Sequence, residues 1–450
     1  YAGGDARSLA DDLRTPGGRM STRTLHVDLL ARVEGEGALR LAFEGETLTE
    51  LSLSIFEPPR FFEALLRGRP ATDAPDVTAR ICGICPVAYQ MSACAAIEDA
   101  WGVVVPDALT ALRRALYCGE WIESHVLHML MLHVPDFLGL HSVVEVAEHH
   151  RDQVQAALAV KKAGNALVTM LGGREIHPVN VRVGGFYRLP RPAERDAIVA
   201  QLSAVRAPME AFVRWVGGLP YPELDTSVPF VALHPPSVYP FLEGPIGTSD
   251  GDAIEPADWG EHFVEEHVER SNALHCRLHG APYLTGPLAR FALSGHQLPE
   301  PLRTLAHELG CDPPVRNPFR SLLVRGIETL YAIDEAVRLL AAFEDFDGRP
   351  CVPAEPRAAV GVGVSEAPRG LLYHRYETDA DGHIVRADIV PPTSQNQLAI
   401  EADLRTLAPQ LRTLDDEPAR RLAEQAIRNH DPCISCATHF LRLSRGADSG

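Results

Sequence analysis

No stretch of this sequence approaches the roughly 20 consecutive apolar residues that a membrane-spanning helix needs. The nearest, Val126–Leu140, is too short and carries His128, His133 and Asp136. No secretory signal is visible at the N-terminus. No Gly-x-Gly-x-x-Gly follows a strand pattern, and no phosphate-binding Gly-Lys-Ser/Thr is present, so a nicotinamide or a flavin has to bind on another polypeptide. Positive charge is in deficit. The formal net charge of −18 argues against nucleic acid and anionic membrane surfaces as principal partners. Internal repeats and low-complexity tracts are lacking too.

What is present is a large apolar fraction, 46% of 450 residues, enough for an extensive core. There are nine cysteines, and four stand in two Cys-x-x-Cys pairs near opposite ends of the chain. The first pair lies in Arg80-Ile81-Cys82-Gly83-Ile84-Cys85-Pro86. The second lies in Asp431-Pro432-Cys433-Ile434-Ser435-Cys436, with His439 three residues on. Four thiolates in two short-spaced pairs can enclose a soft transition metal. Compact structural zinc ribbons separate such pairs by about 15–20 residues, whereas here most of the chain intervenes. A long-range zinc staple and a redox dithiol remain as simpler readings. Length alone suggests about three domains, but a site joining Cys82 to Cys436 predicts one domain over residues 21–439. The other cysteines, Cys94, Cys118, Cys276, Cys311 and Cys351, are scattered and odd in number. They read as buried thiols of a reducing compartment, not as disulfides or an iron–sulfur motif. Electrons from a redox centre here would therefore leave through another chain.

The pattern predicts a mainly α protein with small β elements (α+β). Alternation from Thr24 to Phe56, with Leu39, Leu41 and Phe43 inward, predicts an antiparallel meander. A helix after Pro58-Pro59 is expected to bury Phe61, Leu65 and Leu66. Another is expected from the Cys82–Cys85 turn to about Gly102. Further helices are expected over Pro106–Val134, Ser142–Leu171, Pro192–Val216, Pro318–Phe346, 395–411 and 416–429. The Pro- and Gly-rich segment 217–315 should wrap this core. Asp379-Ala380-Asp381-Gly382 predicts a hairpin between Leu371–Glu377 and His383–Val390. Residues 1–20 are expected to be a disordered leader.

The two cysteine signatures together resemble those of the large, catalytic subunit of nickel–iron hydrogenases. Arg32-Val33-Glu34-Gly35, Phe62-Glu63 with Leu65-Leu66-Arg67-Gly68-Arg69, Ala367-Pro368-Arg369-Gly370 and Val390-Pro391-Pro392-Thr393-Ser394-Gln395-Asn396 extend the likeness in family order. The resemblance implies that family's helix-bundle core and the reaction H2 ⇌ 2H+ + 2e−. By it, Cys82, Cys85, Cys433 and Cys436 bind nickel. Cys85 and Cys436 also bridge to an iron carrying carbon monoxide and cyanide. Cys82 and Cys433 are terminal on nickel, which leaves Cys433 as the base that takes a proton. Glu34 becomes the first proton relay, since a carboxyl packed beside the cluster suits reversible proton passing. Arg369 supplies a fixed positive charge, and the Thr393 hydroxyl donates to a cyanide nitrogen. Glu63, His439 and a main-chain carbonyl near Ile389 are expected to hold magnesium. The resemblance also implies cleavage after His439 by a maturation endopeptidase, with loss of residues 440–450, and nickel-insertion factors. An iron–sulfur small subunit is the minimum partner.

Departures point to a branch. Tyr89 stands where many relatives have histidine, and Ser124-His125, preceded by Glu123, stands where many have Asp-His. The Cys-Gly-Ile-Cys-Pro-Val-Ala-Tyr-Gln variant resembles the cytoplasmic, bidirectional, NADP-linked and sulfur-reducing branch, which implies flavin-bearing diaphorase subunits. Two alternatives stand beside this reading: a non-catalytic relative of the kind found in respiratory complex I, and a zinc-stapled structural subunit.

Overall fold

The computed structural model describes residues 22–343 and 348–438. The expected leader, His439 and the tail 440–450 lie outside the described residues. The N-terminal meander forms as expected from Thr22–Val27, Gly37–Glu44 and Thr47–Ile55, paired antiparallel in sequence order. Leu39, Leu41 and Phe43 all turn inward, because alternate residues of a strand share a face.

Long helices make the body: Pro86–Trp101, Asp107–Leu127, Arg151–Gly172, Pro192–Gly217 and Ser321–Ala342. Two of the expected helices differ. The one expected over Pro106–Val134 passes into a π-wound turn, His128–His133, before Val134–Phe137. The one expected over Ser142–Leu171 is two helices, Val143–His149 and Arg151–Gly172, because His150 leaves helical geometry at φ −133°, ψ 48°. A third correction concerns Phe61 and Leu65. Both are exposed, and only Leu66 is buried. The helix there is five residues long, Phe62–Leu66, and so short a helix has a single inward position. The segment 217–315 holds short strands and the helices Pro287–Ser294 and Glu300–Glu308.

A second sheet positions the site. Ala359–Ala367, Gly370–Thr378 and Ile384–Val390 pair antiparallel in that order. Its second hairpin is the expected one. Its first strand was not expected, and it lies hard against Pro86–Trp101. A Cβ at Gly363 would stand 2.2 Å from the Ser92 carbonyl oxygen, so only glycine permits this approach. The Ala367↔Gly370 pair closes a two-residue turn that carries Arg369 at its tip. The helices Pro392–Thr413 and Asp416–Arg428 then lead into the second cysteine loop. One apolar core runs from Leu25 to Cys436 and includes all four paired cysteines.

Candidate metal centre

Both cysteine loops are held by groups distant in sequence. Cys85 sits at the N-terminus of Pro86–Trp101. The Glu120 carboxylate accepts from the Val87 and Ala88 amides of that first turn, at 2.6 and 3.1 Å. The second loop pairs through main chain with residue 34, where Ile434 N–H donates to the Glu34 carbonyl at 2.8 Å. Arg60 ties the loops together, donating to the Ile81 carbonyl at 2.6 Å and to the Ser435 carbonyl.

The four predicted thiols meet. Cys82, Cys85, Cys433 and Cys436 are buried, with their sulfurs all within 4.8 Å of one another. Cys82 Sγ lies 3.5 Å from Cys433 Sγ, Cys85 Sγ 3.8 Å from Cys436 Sγ, and Cys433 Sγ 2.7 Å from Cys436 Sγ. The Ile84 and Cys85 amides donate to Cys82 Sγ at 3.3 and 3.2 Å, a polarity that favours thiolate. Hydrogen bonding from Cys433, then Cys436 and Cys85, holds the Cys82 thiol well below its ordinary range. Burial first, and the neighbouring sulfurs second, push Cys433 well above it. An all-sulfur, buried donor set fits a soft, thiolate-binding metal pair.

Of the remaining predicted residues, Glu34, Arg369 and Thr393 are brought to this cluster. Glu34 Oε2 lies 3.1 Å from Cys433 Sγ and accepts from the Ser435 amide at 3.0 Å. Its Oε1 accepts from the Ser435 hydroxyl at 2.5 Å, and that hydroxyl also reaches Glu57 Oε1 at 2.9 Å. Glu34 is half-buried.

Arg369 is buried, with partners of its own. Its Nε donates to the Asp431 carbonyl at 2.8 Å, its Nη2 to Asp431 Oδ1 at 3.1 Å, and its Nη1 to Ser124 Oγ at 3.4 Å. Burial alone would lower the guanidinium. Asp431, then Cys433, Cys85 and Cys82, overcome it and push Arg369 well above its ordinary value. Thr393, in the first turn of Pro392–Thr413, accepts from the Cys433 amide at 2.9 Å. That bond uses its oxygen and leaves the hydroxyl hydrogen for another acceptor.

Glu63 and Ile389 are also together, but through the Ile389 amide, which donates to Glu63 Oε1 at 2.8 Å. His439, expected to complete that site, lies outside the described residues. Tyr89 is buried beside the cluster. Burial, then Cys436, Cys85 and Cys82, push its phenol well up. Glu123 pairs with Lys161 at 3.2 Å, and its carboxyl is pushed up to about 7, by burial above all.

Sequence reasoning missed Asp431, Ser435, Glu57 and Arg60 as site residues. Two of them lie inside the second cysteine signature, which was the available signal. Glu57 and Arg60 flank Pro58-Pro59 and carry no pattern of their own. Of the other cysteines, Cys94, Cys118, Cys276 and Cys311 are buried as expected, while Cys351 is half-buried. Burial pushes Cys94 and Cys311 up to about 12. Among the described residues, no second cysteine cluster forms.

A model of the family described as nickel-dependent hydrogenase matches residues 60–156. Over 421 residues the chain is 32% identical to sulfhydrogenase 1 subunit alpha of Pyrococcus furiosus, covering 93% of this chain and 98% of that subunit. A crystal structure of NAD+-reducing [NiFe]-hydrogenase in the H2-reduced state superposes with a TM-score of 0.84 at 26% identity, covering 93% of this chain and 99% of that one. The [NiFeSe]-hydrogenase of Dm. baculatum shares the fold, with a TM-score of 0.77 at 21% identity over 93% of this chain and all of that one.

Proposed function

The chain belongs to the nickel-dependent hydrogenases as a catalytic large subunit, and from that membership we propose how its residues share the reaction H2 ⇌ 2H+ + 2e−. The nickel–iron centre bound by Cys82, Cys85, Cys433 and Cys436 supplies the open metal position at which dihydrogen is split and the electrons are taken up.

The single observation that carries the proton path is the 3.1 Å contact between Cys433 Sγ and Glu34 Oε2. Cys433 accepts the proton and Glu34 takes it over. The Ser435 hydroxyl, bonded to both Glu34 and Glu57, hands it outward, since a hydroxyl can accept and donate at once. Arg369 holds a permanent positive charge beside the thiolates. Thr393 fixes the Cys433 amide, and its free hydroxyl hydrogen would donate to a cyanide nitrogen on an iron that also carries carbon monoxide. Glu63, His439 and the Ile389 carbonyl would hold a magnesium ion.

Electrons pass to an iron–sulfur small subunit and on, through flavin-bearing diaphorase subunits, to NAD(P). The similarity to an NAD+-reducing enzyme supports that route. No helix among the described residues is long and apolar enough to cross a membrane. The scattered, unpaired remaining cysteines support a reducing compartment, the cytoplasm. Residues 21–439 act as one catalytic domain. Nickel-insertion factors load the centre. A maturation endopeptidase then removes 440–450, which the mass of the active chain checks.

Glu34→Gln tests the proton path in the complex as isolated. Turnover and hydrogen–deuterium exchange should both fall by about 10²–10⁴-fold while nickel and iron stay bound. Full turnover in that variant overturns the assignment.

A further inference from the structure

Arg369 owes its position to a turn, and the turn is held by a second arginine that nothing in the motif points to. Arg290 lies on Pro287–Ser294 and is completely buried. Its Nη1 donates to the Ala367 carbonyl at 2.9 Å and its Nη2 to the Pro368 carbonyl at 3.1 Å. These are the two peptide oxygens immediately before Arg369. The other three donor positions go to carboxylates. Nε and Nη2 bond Glu328 Oε1 and Oε2, both at 2.8 Å, and Nη1 bonds Glu366 Oε2 at 2.9 Å. A guanidinium has five N–H donors in a rigid plane. All five are used here, so the group has one orientation.

The scaffold around Arg290 is equally constrained. Its guanidinium carbon stands 4.3 Å from the Trp121 ring centre. Glu366 Oε1 accepts from the Leu233 amide at 2.6 Å, which anchors that carboxyl from its far side. Behind the turn, a Cβ at Gly286 would come 2.7 Å from the Arg369 carbonyl oxygen, and Gly370 has φ +137°. The Thr285 hydroxyl accepts from the Leu371 amide at 2.9 Å. The turn is therefore held both by the Thr285–Gly286 backbone and by the Arg290 fork.

We propose that Arg290, oriented by Glu328 and Glu366, is the positioning residue that sets where the Arg369 guanidinium stands over the metal centre. The inference rests on the reading of Arg369 as an active-site residue. It adds a cause for that residue's placement. Arg325 assists from the side: its Nη1 lies 3.4 Å from the Pro368 carbonyl and 3.5 Å from Asp431 Oδ2. Arg290 touches neither thiol nor substrate, so its effect runs through Arg369.

A lysine at 290 keeps the positive charge but cannot reach both carbonyls and both carboxylates, because an ammonium has three donors on a point. In the complex isolated with its partners, Arg290→Lys should retain nickel and iron. It should lower kcat by about 10- to 100-fold, the scale of a displacement near 1 Å in a catalytic group, with the KM for H2 little changed. The infrared bands of the iron-bound diatomic ligands should shift or split, because the charge beside them is no longer held in one place. If Arg290→Lys fails to fold, Glu366→Gln serves, since its amide nitrogen must face either the Leu233 amide or Arg290. A smaller shift or splitting of the same bands is then expected. Arg369→Lys is run in parallel. If it leaves spectrum and turnover unchanged, the reading of Arg369 fails. If it alters them while Arg290→Lys and Glu366→Gln retain the parent spectrum, or lose activity only in proportion to lost metal, the positioning role fails.

Discussion

On one flank of the four thiols, Glu34, Ser435 and Glu57 stand half-buried and share hydrogen bonds that a proton can use. On the other flank, Arg369, Asp431 and Arg325 are joined in alternating charge, Glu328 pairs with Arg290, His125 stands between Arg325 and Glu328, and all are closed off from solvent. The difference follows from what each flank must do. A relay needs groups that change protonation and can exchange with the exterior. A fixed field needs groups that never change, and taking them out of water prevents both screening and rearrangement. Burying charge is costly unless every group is paired, which is why the closed flank consists of a chain of ion pairs rather than a lone arginine.

Four substitutions can break or sharpen this comparison. Arg369→Lys, on the closed flank, should have the largest effect. Losing the planar fork on Asp431 should reduce turnover by about 10²–10³-fold with metals still bound, the loss typical of removing one preorganised electrostatic group. Gly363→Ala tests the rigidity beneath that flank. The added methyl meets the Ser92 carbonyl oxygen and should lower unfolding stability by about 3 kcal/mol or more, read from a denaturant midpoint. Ser435→Ala tests the open flank. It removes the hydroxyl between Glu34 and Glu57 but keeps the Ser435 amide on Glu34, so turnover should fall by about tenfold with the infrared spectrum unchanged.

The smallest effect is one of pH. Burial raises the Glu123 carboxyl to about 7 in the folded chain, above its value when unfolded. Its neutral form therefore suits the fold, and stability is lost as pH rises from about 4.5 through 7. Glu123→Gln, which is always neutral, should be more stable than the parent at pH 8 by on the order of 1 kcal/mol, and no more stable at pH 4.5. A gain at both pH values would show that the carboxylate is not what costs stability there.

Much of this was legible in the sequence because the chemistry is written in short local spacings. Two cysteine pairs, Glu34 two residues after Arg32, and Arg369 between Pro368 and Gly370 each sit in a compact pattern, and the structure brings the four thiols, Glu34 and Arg369 to one cluster. The meander was legible because Leu39, Leu41 and Phe43 alternate. The hairpin at Asp379–Gly382 was legible because its turn residues are specific. The strand Ala359–Ala367 was not, because it is buried against a helix and its glycines, selected for close approach, weaken any strand pattern. The helix break at His150 lies inside an otherwise helical periodicity. Phe61 and Leu65 look like core residues by type, and only the brevity of their helix exposes them. The Arg290–Glu328–Glu366 group was beyond reach for a different reason. Its members come from separate segments, and a charged residue in a long sequence reads as surface until its partners are known.

The central claim is that the two ends of the chain hold one nickel–iron pair between Cys82, Cys85, Cys433 and Cys436. The most direct test is the infrared spectrum of the complex purified with its partners. Bands of metal-bound carbon monoxide and cyanide that disappear in Cys85→Ser are the predicted result. A spectrum without such bands, from protein that carries zinc alone, would contradict it.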